Sequence, residues 1–79
     1  MEIGTIIKEF RESVGMSQGD ITDKTGLDKA HISRIENNRA IPDIDTLMRI
    51  SHAMNKPAWI LLRAYEKTLG YLNLDERCN

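Results

Sequence analysis

The spacing of helix breakers is what most constrains this chain. Gly15, Gly26, the pair Asn37-Asn38, Pro42, Pro57 and Gly70 cut it into five blocks, and within each block apolar residues recur at helical spacing. No segment sustains an apolar–polar alternation between turn signals, and aromatics make up only 5% of the residues, so strands are not expected. The expected fold class is all-α, a compact domain of five helices.

The first block covers roughly residues 3–14. Ile3, Ile7, Phe10 and Val14 fall on one narrow stripe and Ile6 widens it, while Lys8, Arg11 and Glu12 take the other faces. Gly15 follows where a left-handed cap is expected. The second block covers about 18–25. Ser17 is its N-cap candidate, with Asp20 three places on in a capping-box arrangement. Ile21 and Thr25 face inward and Gly26 stops the helix. Gly19 in its first turn costs up to ~1 kcal/mol relative to Ala, so this helix leans on tertiary packing. The third block, about 29–36, has Asp28 as N-cap candidate and only Ile32 and Ile35 as strongly apolar residues. It shows its neighbours one narrow edge, and Asn37-Asn38 ends it. The fourth block, about 44–54, is capped by Asp43 and carries Leu47, Ile50, Ala53 and Met54 on one face. The fifth, about 58–69, has a stripe of Ala58, Leu61, Leu62, Tyr65 and Leu69, with Trp59 and Ile60 well outside it. Met16, Met48 and Met54 read as core or near-core filler.

Length and composition narrow the function. A chain of 79 residues makes one domain and buries only ~60–65% of its unfolded surface, so a partner subunit would help its thin core. Residues 1–70 are expected to form that domain, the fifth helix serving as dimerisation element, and 71–79 a tail that is partly interface and partly flexible. The longest apolar run, Ala58 to Leu62, is far short of the ~20 residues that span a bilayer. No secretory signal is evident, and a cytoplasmic protein is expected. Cys78 is the sole cysteine and reads as an incidental tail residue. His31 and His52 stand apart with no ligand spacing between them. No Gly-rich phosphate loop or nucleophile–base constellation is visible, so no cofactor, metal or enzymatic activity is expected.

The second and third blocks are separated only by Gly26-Leu27-Asp28, the spacing of a helix-turn-helix. Gly26 suits a turn with positive φ, and Leu27 tucks beneath it. With Ile32 and Ile35 as the inner edge, Ala30, Ser33 and Arg34 point most directly outward, Lys29 projects from the first turn and His31 sits on the flank. A small residue, a hydroxyl and two long cations make a face that can enter a DNA groove. Arg34 can donate twice to guanine O6 and N7; Lys29 can do the same or meet a phosphate.

Residues 4–55 resemble the Cro/phage-repressor helix-turn-helix family. The residues that carry the resemblance are Ser17-Gln18, Ile21, Gly26-Leu27, Ile32-Ser33-Arg34-Ile35-Glu36-Asn37, Pro42, and Thr46-Leu47 through Ile50. The resemblance implies a lambda-repressor-like fold with the motif at its second and third helices. It implies that Gln18 meets a phosphate and buttresses the recognition helix, and that Lys29, Ala30 and Arg34 read bases. Ser33, Asn38 and Arg39 would lie near the groove or the DNA backbone, and Glu36 would be a structural acid paired within the domain. Three residues depart from the family pattern. Thr22 replaces a small Ala where the motif helices cross, and would either open the crossing or bond back to the preceding turn. Asn38 stands for a Gly, and Gly19 for a better helix former.

The last helix carries more apolar surface than one stripe can hide. Trp59, Ile60, Leu61, Tyr65, Leu72 and Leu74 are the candidates for a symmetric homodimer interface. Such a dimer places two recognition helices about 34 Å apart, one DNA turn, on a palindromic operator. The expected function is a sequence-specific transcriptional regulator, a repressor or autoregulator of phage, restriction–modification controller or antitoxin type, with double-stranded DNA and a second copy as partners. The alternative is an antitoxin-type or adaptor module that uses the same fold to hold a protein. A net charge of -1 rules out coating DNA by bulk charge and points to weak non-specific affinity.

Overall fold

A computed structural model describes residues 2–69. Five helices run in order: α1 (Ile3–Ser13), α2 (Gln18–Thr25), α3 (Lys29–Glu36), α4 (Ile44–Ala53) and α5 (Ala58–Leu69). No strand occurs among the described residues. The candidates Leu72 and Leu74, with Tyr71, Cys78 and the tail, lie outside them.

Local chemistry explains where the helices begin. Ser17 accepts from the Asp20 backbone N–H at 3.1 Å while the Asp20 carboxylate accepts from the Ser17 N–H at 2.9 Å, closing the expected capping box. Asp43 caps α4 by accepting from the Thr46 N–H at 2.7 Å. The backbone hydrogen bonds hold both carboxyls, Asp20 and Asp43, below the ordinary carboxylate range. Asp28 takes the N-cap position of α3 with extended backbone, but its side chain makes no capping bond. The helices end on left-handed residues or just before them. Gly15, Gly26, Asn38 and Asn55 have φ of 74°, 77°, 62° and 58°.

The core is aliphatic. Ile3, Ile6 and Ile7 of α1 meet Ile21 of α2, Ile32 and Ile35 of α3, Leu47 and Ile50 of α4 and Leu61 of α5. Each fully buried Ile or Leu contributes roughly 1.5–3 kcal/mol relative to an exposed one. α1 packs on α3 and α5, α2 on α3 and α4, and α4 on α5. The α1–α3 crossing is so close that a Cβ on Gly4 would strike the Ile35 carbonyl oxygen. Gly4 thus lets a β-carbon-free backbone sit against α3 and fixes the height of that helix over α1.

Several sequence expectations need correction. Leu61 is fully buried in the core of its own chain and has no surface to offer a second copy. Leu62 and Leu69, placed on the inner stripe, are exposed, because α5 turns its Leu61, Ala64 and Tyr65 side to the core. Met48 and Val14 are also exposed. The Thr22 hydroxyl does not bond back to the preceding turn; it is buried and has no hydrogen-bond partner.

Gly4→Ala should lower the midpoint of thermal unfolding sharply, because either α1 or the Ile35 carbonyl must move. An unchanged melt by circular dichroism would contradict the close crossing.

Candidate nucleic-acid interface

The site is built on one buried ion pair. Arg11 leaves α1 one turn after Ile7 and reaches Glu36 at the end of α3 through two bonds. Its Nε donates to Oε2 at 2.7 Å and its Nη2 to Oε1 at 3.0 Å. The two side chains are 10% and 2% exposed. The third arm, Nη1, donates to the Met16 carbonyl at 2.7 Å and so fixes the turn between α1 and α2. Gln18, the first residue of α2, donates from Nε2 to Glu36 Oε1 at 3.0 Å. One carboxylate therefore gathers α1, α2 and α3. The hydrogen bond to Glu36 raises the Arg11 pKa further above its already high value, outweighing the opposing effect of burial.

Arg11 is thus not on a solvated face, as expected from sequence, but inside the domain. Its signal was in the helical wheel: it sits four residues after Ile7, at the margin of the apolar stripe. Glu36 behaves as the resemblance implied, and Gln18 buttresses α3. A Gln amide nitrogen has two N–H groups, so one remains for a phosphate after the bond to Glu36.

On the open side of α3, Lys29, Ala30 and Arg34 are exposed and Ser33 and His31 are half-buried. Arg34 Nη2 lies 3.5 Å from His31 Nδ1, a contact at the geometric limit that leaves the guanidinium free to turn. Ser33 Oγ accepts from the Asn37 amide at 3.3 Å. The chain then reverses over Asn38 and Arg39. The Arg39 N–H donates to the Arg34 carbonyl at 2.8 Å, which closes the end of α3 and sets the exposed Arg39 beside it. Asn38 donates from Nδ2 to Thr5 Oγ1 at 2.9 Å. Its side chain is therefore engaged in holding the loop to α1, a role that sequence reasoning missed. The structure brings Gln18, Lys29, Ala30, Ser33, Arg34 and Arg39 onto the motif helices and the loop that follows, with the Asn38 amide turned to α1.

A second surface is apolar. Trp59 is 61% exposed, Ile60 and Tyr65 are half-buried, and Leu62 and Leu69 are exposed beside them. Sequence reasoning missed that Ile41 and Ile44, around the start of α4, are 89% and 74% exposed. Ile41 and Tyr65 line one groove together with Glu2, Ile3, Asn38 and Ala40, which joins the loop before α4 to α5.

Residues 7–60 match the family described as helix-turn-helix. The chain belongs to the helix-turn-helix family. It is 33% identical over 55 residues to the HTH-type transcriptional regulator SutR of Escherichia coli (strain K12), covering 70% of this chain and 31% of that protein. With the regulator SinR of Bacillus licheniformis it shares 31% over 67 residues, covering 84% and 60%. The chain thus spans less than two thirds of these curated relatives. Among solved structures it is similar to the restriction-modification controller protein C.Esp1396I, at 28% identity and a TM-score of 0.76, covering 85% of this chain and 88% of that one. The same controller, solved as a tetramer in complex with its natural 35 base-pair operator, matches at 29% identity and a TM-score of 0.74, covering 82% and 86%. The helix-turn-helix match contains both halves of the Arg11–Glu36 pair and the whole of α2 and α3.

Arg11→Met should destabilise the domain by about 3–5 kcal/mol, because it leaves the Glu36 carboxylate buried without its counter-charge. Pairing it with Glu36→Leu should recover much of that loss in a denaturant titration. A single variant as stable as the parent would contradict the burial of the pair.

Proposed function

We propose that this chain is a sequence-specific DNA-binding transcriptional regulator that acts as a homodimer. The observation that carries the reading is the placement of Lys29, Ala30 and Arg34 on the open face of a helix whose other side is locked by Glu36, Ile32 and Ile35. A helix read by a DNA groove must present donors outward and hold them still. The operator complex of C.Esp1396I and the regulator names of the sequence relatives support it.

Arg34 and Lys29 read base edges, and Ala30 permits close approach. Ser33 and Arg39 meet the sugar–phosphate backbone, and Gln18 meets a phosphate at the start of α2, where N–H groups favour an anion. Asn38 shapes the loop that presents Arg39. No catalytic role is assigned to any residue, and the working compartment is the cytoplasm. The second copy packs on Trp59, Ile60 and Tyr65, and the interface extends to Ile41 and Ile44. Residues 1–70 form the DNA-binding domain; the interface candidates Leu72 and Leu74 lie outside the described residues. The net charge of -1 suits a protein whose tight binding needs two subunits on a matched site.

Arg34→Ala should cost about 1–3 kcal/mol on the preferred duplex and relax selection at one base position, measured on sites recovered from a random library. An equal loss on every sequence would remove its base-reading role. If affinity for random duplex does not fall as salt rises, the DNA reading itself fails and the adaptor alternative takes its place. Trp59→Ala should shift the protein toward monomer in sedimentation equilibrium. A monomeric parent chain would refute the homodimer.

A further inference from the structure

Neither the DNA face nor the apolar surface uses the far ends of α2 and α4. There a groove of about 540 Å³ is lined by Lys24, Thr25, Arg49, His52, Ala53 and Asn55. A second, of about 380 Å³, continues it along His52, Asn55, Lys56 and Pro57. Lys24, Arg49, His52 and Lys56 therefore border one continuous depression, and no carboxylate lines either part. Lys24, Arg49 and Lys56 thus bring three cations to one depression of a chain whose net charge is -1.

Lys24 stands in the last turn of α2, where a cation balances the terminal carbonyls. Arg49 bonds Asp45 at 3.0 Å, but both side chains are largely exposed, so the pair is weakly held and can give way to a better acceptor. Lys56, in the connection to α5, has neither explanation. Asp20 closes the Ser17 cap, and its carboxylate also feels the charge of Lys24 one turn on.

None of the groove's lining residues is on α3 or in the loop after it: Lys24 and Thr25 end α2, Arg49, His52 and Ala53 lie on α4, and Asn55, Lys56 and Pro57 follow it. We propose that this groove docks an acidic segment of a partner protein, whose carboxylates meet Lys24, Arg49 and Lys56 while duplex DNA occupies α3. The proposal does not depend on which bases α3 reads.

The test uses the full chain and a fluorescein-labelled peptide of alternating Asp and Glu, followed by anisotropy at low and at physiological ionic strength. The expected result is saturable binding that persists when duplex DNA is added and that Arg34→Ala leaves unchanged. Lys24→Glu with Arg49→Glu should weaken it about tenfold or more, since like charges then face each other. Lys56→Glu alone should weaken it in the same direction, and each variant should keep the parent's thermal melt. A groove variant that loses its melt is replaced by Lys56→Gln, which must still weaken the peptide. Absence of binding by the folded parent overturns the proposal. So does displacement of the peptide by duplex, or loss on Arg34→Ala with none on the groove variants. Loss of affinity for random duplex in the groove variants assigns the groove to the DNA backbone instead.

Discussion

Everything on the open face of α3 depends on a carboxylate that cannot be seen from outside. Glu36 receives two N–H donors from Arg11 and one from Gln18, and Arg11 gives its last arm to the Met16 carbonyl. Burying two charges is costly, and apolar residues of the same volume often serve stability as well or better. What the pair supplies is registry. Apolar packing alone would let α3 slide or roll against α1 by fractions of an ångström at little cost. A bidentate fork has one satisfactory geometry.

Around that anchor the domain uses very little material. Gly4 lets α1 approach the Ile35 carbonyl, and Asn38 in the left-handed region ties the loop after α3 back to Thr5. The start of the connection from α3 to α4 is therefore tied to α1, and Arg39 follows directly on that tie. The thinness of the core shows in what it fails to cover. Ile41, Ile44, Trp59, Leu62 and Leu69 remain exposed. Charge follows the same division. Lys29, Arg34 and Arg39 lie on α3 and the loop after it, whereas Lys24, Arg49 and Lys56 lie on α2, α4 and the connection to α5; Asp20 and Asp43 cap helices, and Glu36 and Asp45 pair with arginines.

Helix order and limits were legible because breakers are local. Gly15, Gly26, Asn38 and Asn55 all take a left-handed φ, and the Ser17–Asp20 box closes within four residues. The candidate reading residues were legible for a similar reason, since two isoleucines on an eight-residue helix define its outside. Tertiary facts were less so. Nothing local tells a solvated Arg11 from a buried one until its carboxylate partner, 25 residues away, is placed beside it. Leu61 and Leu62 are adjacent in sequence, yet the roll of α5 against α1 and α4 buries one and exposes the other. The family resemblance places Asn38 near the groove or backbone, and it gives no sign of the bond from the Asn38 amide to Thr5 on α1.

DNA received on the side of α3 opposite Glu36, as proposed, would leave a residue-by-residue trace in solution. The most direct measurement is a map of backbone amide shifts as duplex is titrated into isotope-labelled protein. The account predicts the largest changes at residues 17–18 and 29–39, with α1 following through Arg11 and the far ends of α2 and α4 unmoved. Changes concentrated on α5 or on Lys24, Arg49 and His52, with α3 silent, would contradict it.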